Sequence, residues 1–219
     1  MNMFVKVLKL IFGVIIDPRT YANIGYTLIA FPLGLTYFVF LVTGISVGFG
    51  TIIIWIGLPI LVLVIAASWA MAAFERRLTI LMLGEEIGPM SSETPLPTDS
   101  GWRGIWRKFR IHLSNPVTWT SMLYLLVKFP VGTFTFSATI ALLASSIGMI
   151  LAPMFYKISD SAVFNGWDWT VFTFWSIDSV GEAWLVTIAG VALLFVSLHL
   201  INVMAKWSGQ LAQATLGKS

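Results

Sequence analysis

Four long apolar runs dominate the chain: Ile24 to about Val47, Thr51 to Ala73, Thr118 to Ile150, and Trp184 to about Lys206. Each supplies the roughly 20 helical residues that cross a hydrocarbon layer about 30 Å thick. Gly48-Phe49-Gly50 predicts a tight hairpin between the first two, and the third is overlong, so it must tilt, kink or project. The intervening pattern is different. Met1 to Ile16 is too short to span and sets Lys6 and Lys9 beside an apolar stripe, which predicts a helix on an anionic inner leaflet. A cleavable signal peptide is the rival reading, but no small-x-small site follows. Asp17 is placed to cap the next helix, with Pro18 in its first turn. Phe74 to Gly84 predicts a second interfacial helix, ended by glycine.

The same pattern occurs twice. Asp17-Pro18-Arg19-Thr20-Tyr21 running into Phe31-Pro32-Leu33-Gly34 returns as Asn115-Pro116-Val117-Thr118-Trp119 running into Phe129-Pro130-Val131-Gly132, at an offset of 98 (116 − 18). The stripe Phe4, Val7, Leu8, Ile11, Ile15 returns at that offset as Trp102, Ile105, Trp106, Phe109, Leu113. Further on the match resumes at 133 (190 − 57), pairing Gly57 with Gly190, Met71 with Met204 and Leu83-Gly84 with Leu216-Gly217. The expected organisation is therefore a first repeat over 1–84, a cytoplasmic linker over 85–100, and a second repeat over 101–219 that carries an extra segment at about 149–183. Pro32 and Pro130 each remove one backbone donor inside a span and predict kinks, and Gly34 and Gly132 let another helix approach there.

Composition sharpens the class. With 58% hydrophobic and 11% charged residues the chain reads as an integral membrane protein, since soluble domains carry about 25% charge. No cysteine is present, so disulfide and thiolate metal chemistry are excluded. The basic residues Lys6, Lys9, Arg19, Arg76, Arg77, Arg103, Arg107, Lys108, Arg110, Lys206 and Lys218 fall on one side of a four-span layout, which predicts cytoplasmic termini and linker in a plasma membrane. The fold expected is an all-α membrane protein: four transmembrane helices as two parallel two-helix repeats, with amphipathic interfacial helices on the cytoplasmic side. The basic aromatic helix from Trp102 to Arg110 is of a kind that binds nucleic acid, but beside a span it favours anionic lipid, and no nucleic-acid partner is expected.

The extra segment carries Asp160, Asp168, Asp178 and Glu182 with Trp167, Trp169 and Trp175 on the outer side. Acids and aromatics together suit a cationic or amphipathic ligand. The competing reading seats the aromatics in the headgroup belt and leaves the acids solvated. Two ionisable residues fall inside spans. His199 suits a neutral imidazole bonded to a hydroxyl or carbonyl of a neighbouring helix, and Lys128 suits snorkelling to the inner headgroups. A sharper reading pairs Lys128 with a carbonyl freed at the Phe129-Pro130 kink or with a lipid phosphate. His112 lies just past Arg110 on the same basic surface helix and reads as an interfacial titrating residue.

The succession Phe-Pro-Leu-Gly-Leu-x-Tyr-Phe, Val-Thr-Gly-Ile-Ser-Val-Gly, Trp55-Ile56-Gly57-Leu58-Pro59 and Glu75-Arg76-Arg77-Leu78 closing on Leu83-Gly84 resembles the sensor domain family of prokaryotic membrane signalling proteins. The resemblance runs from Tyr21 to Gly217. It implies a four-span module of the kind that commonly precedes a histidine kinase. No phosphoacceptor helix or ATP-binding segment is found in this sequence, so the expected output is to a separate membrane or signalling protein.

No phosphate loop, metal set, paired membrane carboxylates or nucleophile–base spacing is found, so no enzyme, cofactor or metal is expected. The leading expectation is a membrane sensor or regulatory module. The alternatives are an accessory or assembly subunit of a membrane transporter or other complex, and a small transporter acting as a homodimer, which the scarcity of polar residues in the spans disfavours.

Overall fold

The computed structural model describes residues 13–84, 87–88, 114–154 and 179–216. Regular structure among them is helical: α1 (Pro18–Gly50), a 3-10 turn (Ile52–Ile54), α2 (Gly57–Leu83), α3 (Pro116–Ile150) and α4 (Val180–Leu216). All four α-helices are long and apolar enough to cross a membrane. Even α2, the shortest at 27 residues, runs about 40 Å at 1.5 Å per residue. Leu63, Leu123, Phe134, Leu185 and Ile188 are all more than 60% exposed on these helices, a surface that a bilayer accepts and water does not. The chain is an all-α membrane protein.

Three sequence expectations about boundaries are corrected. Residues 74–83 do not form a separate surface helix; they continue α2. The cause is visible in its buried stripe, in which Gly57, Leu61, Val64, Ser68, Ala72, Glu75 and Thr79 recur every three or four residues without a break at Ala73. Gly84 does end the helix, in the left-handed conformation (φ 68°) with its N–H donating to the Ile80 carbonyl. The turn after α1 lies at 51–56 rather than at Gly48-Phe49-Gly50, which remain helical. There Trp55 adopts φ 63° and Gly57 N–H donates to the Thr51 carbonyl at 3.1 Å. Gly48 stays in the helix because a bare Cα lets Leu61 lie against it. Finally, α4 runs ten residues past Lys206, to Leu216.

The helices α1 and α3 begin alike. Asp17 Oδ1 accepts the Arg19 N–H at 3.0 Å, and Asn115 Oδ1 accepts the Val117 N–H at 2.9 Å. Each satisfies an orphan donor of the first turn ahead of a proline at the first helical position. Their buried faces also coincide. Thr20, Asn23, Tyr26, Thr27, Ala30, Gly34, Tyr37, Leu41 and Gly48 are buried on α1, and so are the nine α3 residues 98 positions on, from Thr118 through Tyr124, Lys128 and Gly132 to Ser146. Gly57, Val64, Ile65, Ser68, Ala72, Glu75 and Thr79 on α2 are matched 133 positions on by buried Gly190, Ser197, Leu198, Ile201, Ala205, Ser208 and Ala212 on α4.

The chain divides into two compact units. In the first, residues 1–21 and 137–203, Gly190 lies against Met149 and Ile150, Ser146 and Ser197 share a hydroxyl–hydroxyl hydrogen bond at 3.1 Å, and Asn202 Nδ2 donates to Thr20 Oγ1 at 3.2 Å. In the second, residues 22–136 and 204–219, α1 meets α2 where Gly44 and Gly48 face Val64 and Leu61. There α1 also crosses α3 at two glycines. A Cβ on Gly34 would stand 2.8 Å from the Lys128 carbonyl oxygen, and one on Gly132 would stand 2.5 Å from that of Ala30. Phe31 stacks on Phe136 (5.1 Å between centroids) and Phe38 on Phe129 (4.8 Å). In both crossings each residue and its counterpart are 98 positions apart, so the contact is reciprocal. Pro32 and Pro130 lie inside continuous helices beside it.

Candidate functional site: a charge pair among three tyrosines

The buried stripes bring six polar side chains together inside the second unit. Helix α2 contributes Glu75 and, one turn on, Thr79; α1 contributes Tyr26 and Tyr37; α3 contributes Tyr124 and Lys128, which share a face because they are four residues apart. None is more than 3% exposed. Lys128 Nζ lies 2.5 Å from Glu75 Oε1. The same oxygen accepts the Tyr26 hydroxyl at 3.2 Å and the Tyr124 hydroxyl at 3.3 Å, while Oε2 accepts that of Tyr37 at 3.3 Å. Lys128 also donates to Tyr26 Oη at 2.7 Å and stands 4.4 Å from the centre of that ring, within cation–π range. Thr79 donates to the Glu75 carbonyl at 2.9 Å, which leaves its hydroxyl 3.5 Å from Tyr26 Oη.

The electrostatics explain why the donors gather. An ionised carboxylate offers about four acceptor sites, and burial shuts this one off from bulk solvent. One ammonium and three hydroxyls fill those sites. Tyr26 acts twice, accepting from Lys128 while donating to Glu75. Removal of either charge would strand the other at a desolvation cost of several kcal/mol. Ser121, one turn before Tyr124 on the same face of α3, has a buried hydroxyl with no hydrogen-bond partner among the described residues. Among those residues no three His, Asp or Glu side chains group as metal ligands. The arrangement can hold charge, and can break and remake four hydrogen bonds on one carboxylate.

Lys128 therefore neither snorkels nor pairs with a freed carbonyl or a lipid phosphate, because a carboxylate on a neighbouring span is closer. His199 lies half-buried on α4, outside the cluster. Lys6, Lys9, Arg103, Arg107, Lys108 and Arg110 lie outside the described residues, as do Asp160, Trp167, Asp168, Trp169, Trp175 and Asp178. Sequence reasoning missed Glu75 by assigning it to a surface helix. The signal was present in two places: the stripe Ser68, Ala72, Glu75, Thr79, and the recurrence of Tyr26 as Tyr124 at the offset of 98.

Residues 26–216 match the family described as "Sensor: Putative sensor". The chain belongs to this sensor family. The matched stretch begins at Tyr26 and so takes in every residue of the cluster. Comparison with curated proteins and with solved structures finds no match. The sensor-type role is thus given by family.

Proposed function

We propose that this chain is a non-catalytic membrane sensor that passes an envelope or bilayer signal to a separate partner protein. It would sit in the plasma membrane with its termini in the cytoplasm. The observation that carries the reading is the Glu75–Lys128 pair, buried between two apolar helices. Ionisable groups within spans are costly and are kept for function, and a buried pair adds little stability over well-packed apolar side chains. A sensor needs two arrangements of its helices with different affinity for the stimulus. A charge pair reached from α1, α2 and α3 favours one such arrangement, and a shift of α2, which carries the shared acceptor Glu75, strains all of its hydrogen bonds together. Reciprocal contacts, matched caps and matched buried stripes support the further reading that the bundle arose from two copies of one two-helix hairpin.

The test is capture of partners from native membranes by tagged full-length chain, compared with Lys128→Met. The reading expects a signalling or regulatory protein at near-stoichiometric yield, changed at least threefold by the substitution. A permease captured at equal yield by both forms would instead make the chain an assembly subunit and overturn it.

A further inference from the structure

Glu75 is followed directly by Arg76, which points out of the cluster and holds the chain that leaves α2. Arg76 Nε donates to the Gly88 carbonyl at 2.7 Å and Nη2 donates to that of Ile87 at 2.6 Å. Although α2 continues to Leu83, about 10 Å beyond Arg76, the carbonyls of Ile87 and Gly88 lie beside this guanidinium. The Ile87 side chain is buried, in the same apolar cluster as Tyr37 and Leu41 of α1, Tyr124 and Leu125 of α3, Ala212 and Leu216 of α4, and Val64 and Ala72 of α2 itself. Residues 87–88 are therefore anchored twice: by backbone to α2, through a planar two-donor fork, and by side chain to a core shared with other helices.

We propose that Arg76 and Ile87 form a strap that reports the state of the Glu75–Lys128 pair to the chain leaving α2. This rests on the sensor reading and deepens it by naming the output element. The physical reason is that Glu75 and Arg76 are consecutive residues of one rigid helix. Any slide or rotation of α2 that parts Glu75 from Lys128 carries the guanidinium with it, whereas most of the core around Ile87 belongs to α1, α3 and α4, with only Val64 and Ala72 of its buried residues coming from α2. Both anchors are satisfied only while the charge pair is closed. When it opens, one anchor lets go and Ile87 becomes accessible.

The chain has no cysteine, so a single thiol introduced by Ile87→Cys reports on that position. Its reaction with a soluble maleimide is followed on full-length protein in lipid nanodiscs. Lys128→Met is expected to speed labelling at least tenfold. Arg76→Gln is expected to do the same with the charge pair intact, and Arg76→Lys, a point donor in place of a fork, to give an intermediate rate. Ile201→Ala, which opens a cavity at a fully buried site of the other unit, serves as the control for general loosening and should stay within twofold of the starting rate. The strap is overturned if Arg76→Gln changes labelling less than twofold. Its coupling to the charge pair is overturned if Lys128→Met does so, or if Ile201→Ala accelerates labelling as much as Lys128→Met. Labelling uses isolated protein, so its outcome is independent of partner capture.

Discussion

Two diagonals of the same helical frame carry different chemistry. On one, α2 places Glu75 against Lys128 of α3; on the other, the counterpart positions are Ser208 on α4, 133 residues beyond Glu75, and Ala30 on α1, 98 residues before Lys128. All four positions are buried. The surroundings repeat, with Tyr26 and Tyr124 at equivalent places and Gly34 and Gly132 at equivalent crossings, so the helices pack by the same rule on both sides. Only one diagonal is charged. The serine–alanine diagonal has the same buried register without charge, so burial at these positions does not itself require a charge pair. A buried ion pair is weak evidence for stability and stronger evidence for a state that must be specified.

The largest expected effect comes from breaking the charged diagonal from one side. Lys128→Met or Glu75→Gln should each cost about 3–5 kcal/mol in reversible unfolding from mixed micelles, because each strands a buried partner. Ser208→Ala on the neutral diagonal should cost less than about 1.5 kcal/mol, since a hydroxyl strands no charge. Comparable losses on the two diagonals would remove the distinction.

Next come the crossing glycines, where both sides should respond alike. A Cβ at either position meets backbone atoms of the opposite helix rather than a yielding side chain. Gly34→Leu and Gly132→Leu should each destabilise by about 1–3 kcal/mol or more by overpacking, measured in the same assay. A large effect on one side alone would show that the reciprocal contact is not shared equally.

The tyrosines should split the symmetry again. Tyr26→Phe removes both an acceptor for Lys128 and a donor to Glu75, so about 1–3 kcal/mol is expected; Tyr124→Phe removes one donor of several, about 0.5–1.5 kcal/mol. The caps should respond symmetrically. Asp17→Ala and Asn115→Ala should each lower stability by about 0.5–2 kcal/mol, read as a shift of the unfolding midpoint.

Much of the fold was legible because it rests on local rules. Asp17-Pro18 and Asn115-Pro116 announce helix starts, apolar length announces spans, and an offset of 98 brings one buried register onto the next. What failed was a boundary drawn on composition. The change from Ala73 to Phe74-Glu75-Arg76-Arg77 reads as the edge of a span, yet the stripe Ser68, Ala72, Glu75, Thr79 passes through it, and the position of each residue on the helix face decides burial. The pairing itself was not legible. Glu75 and Lys128 are 53 residues apart on different helices, and no local pattern states that two costly charges cancel each other.

The central claim is that the pair is an addition to a frame that packs without it, and a double-mutant cycle on Glu75 and Lys128 tests it most directly. With Glu75→Gln, Lys128→Met and the combined variant unfolded reversibly under one set of conditions, the account predicts that the combined variant recovers to within about 2 kcal/mol of the original chain, a coupling of at least about 3 kcal/mol. Losses that simply add, to within about 0.5 kcal/mol, would contradict it.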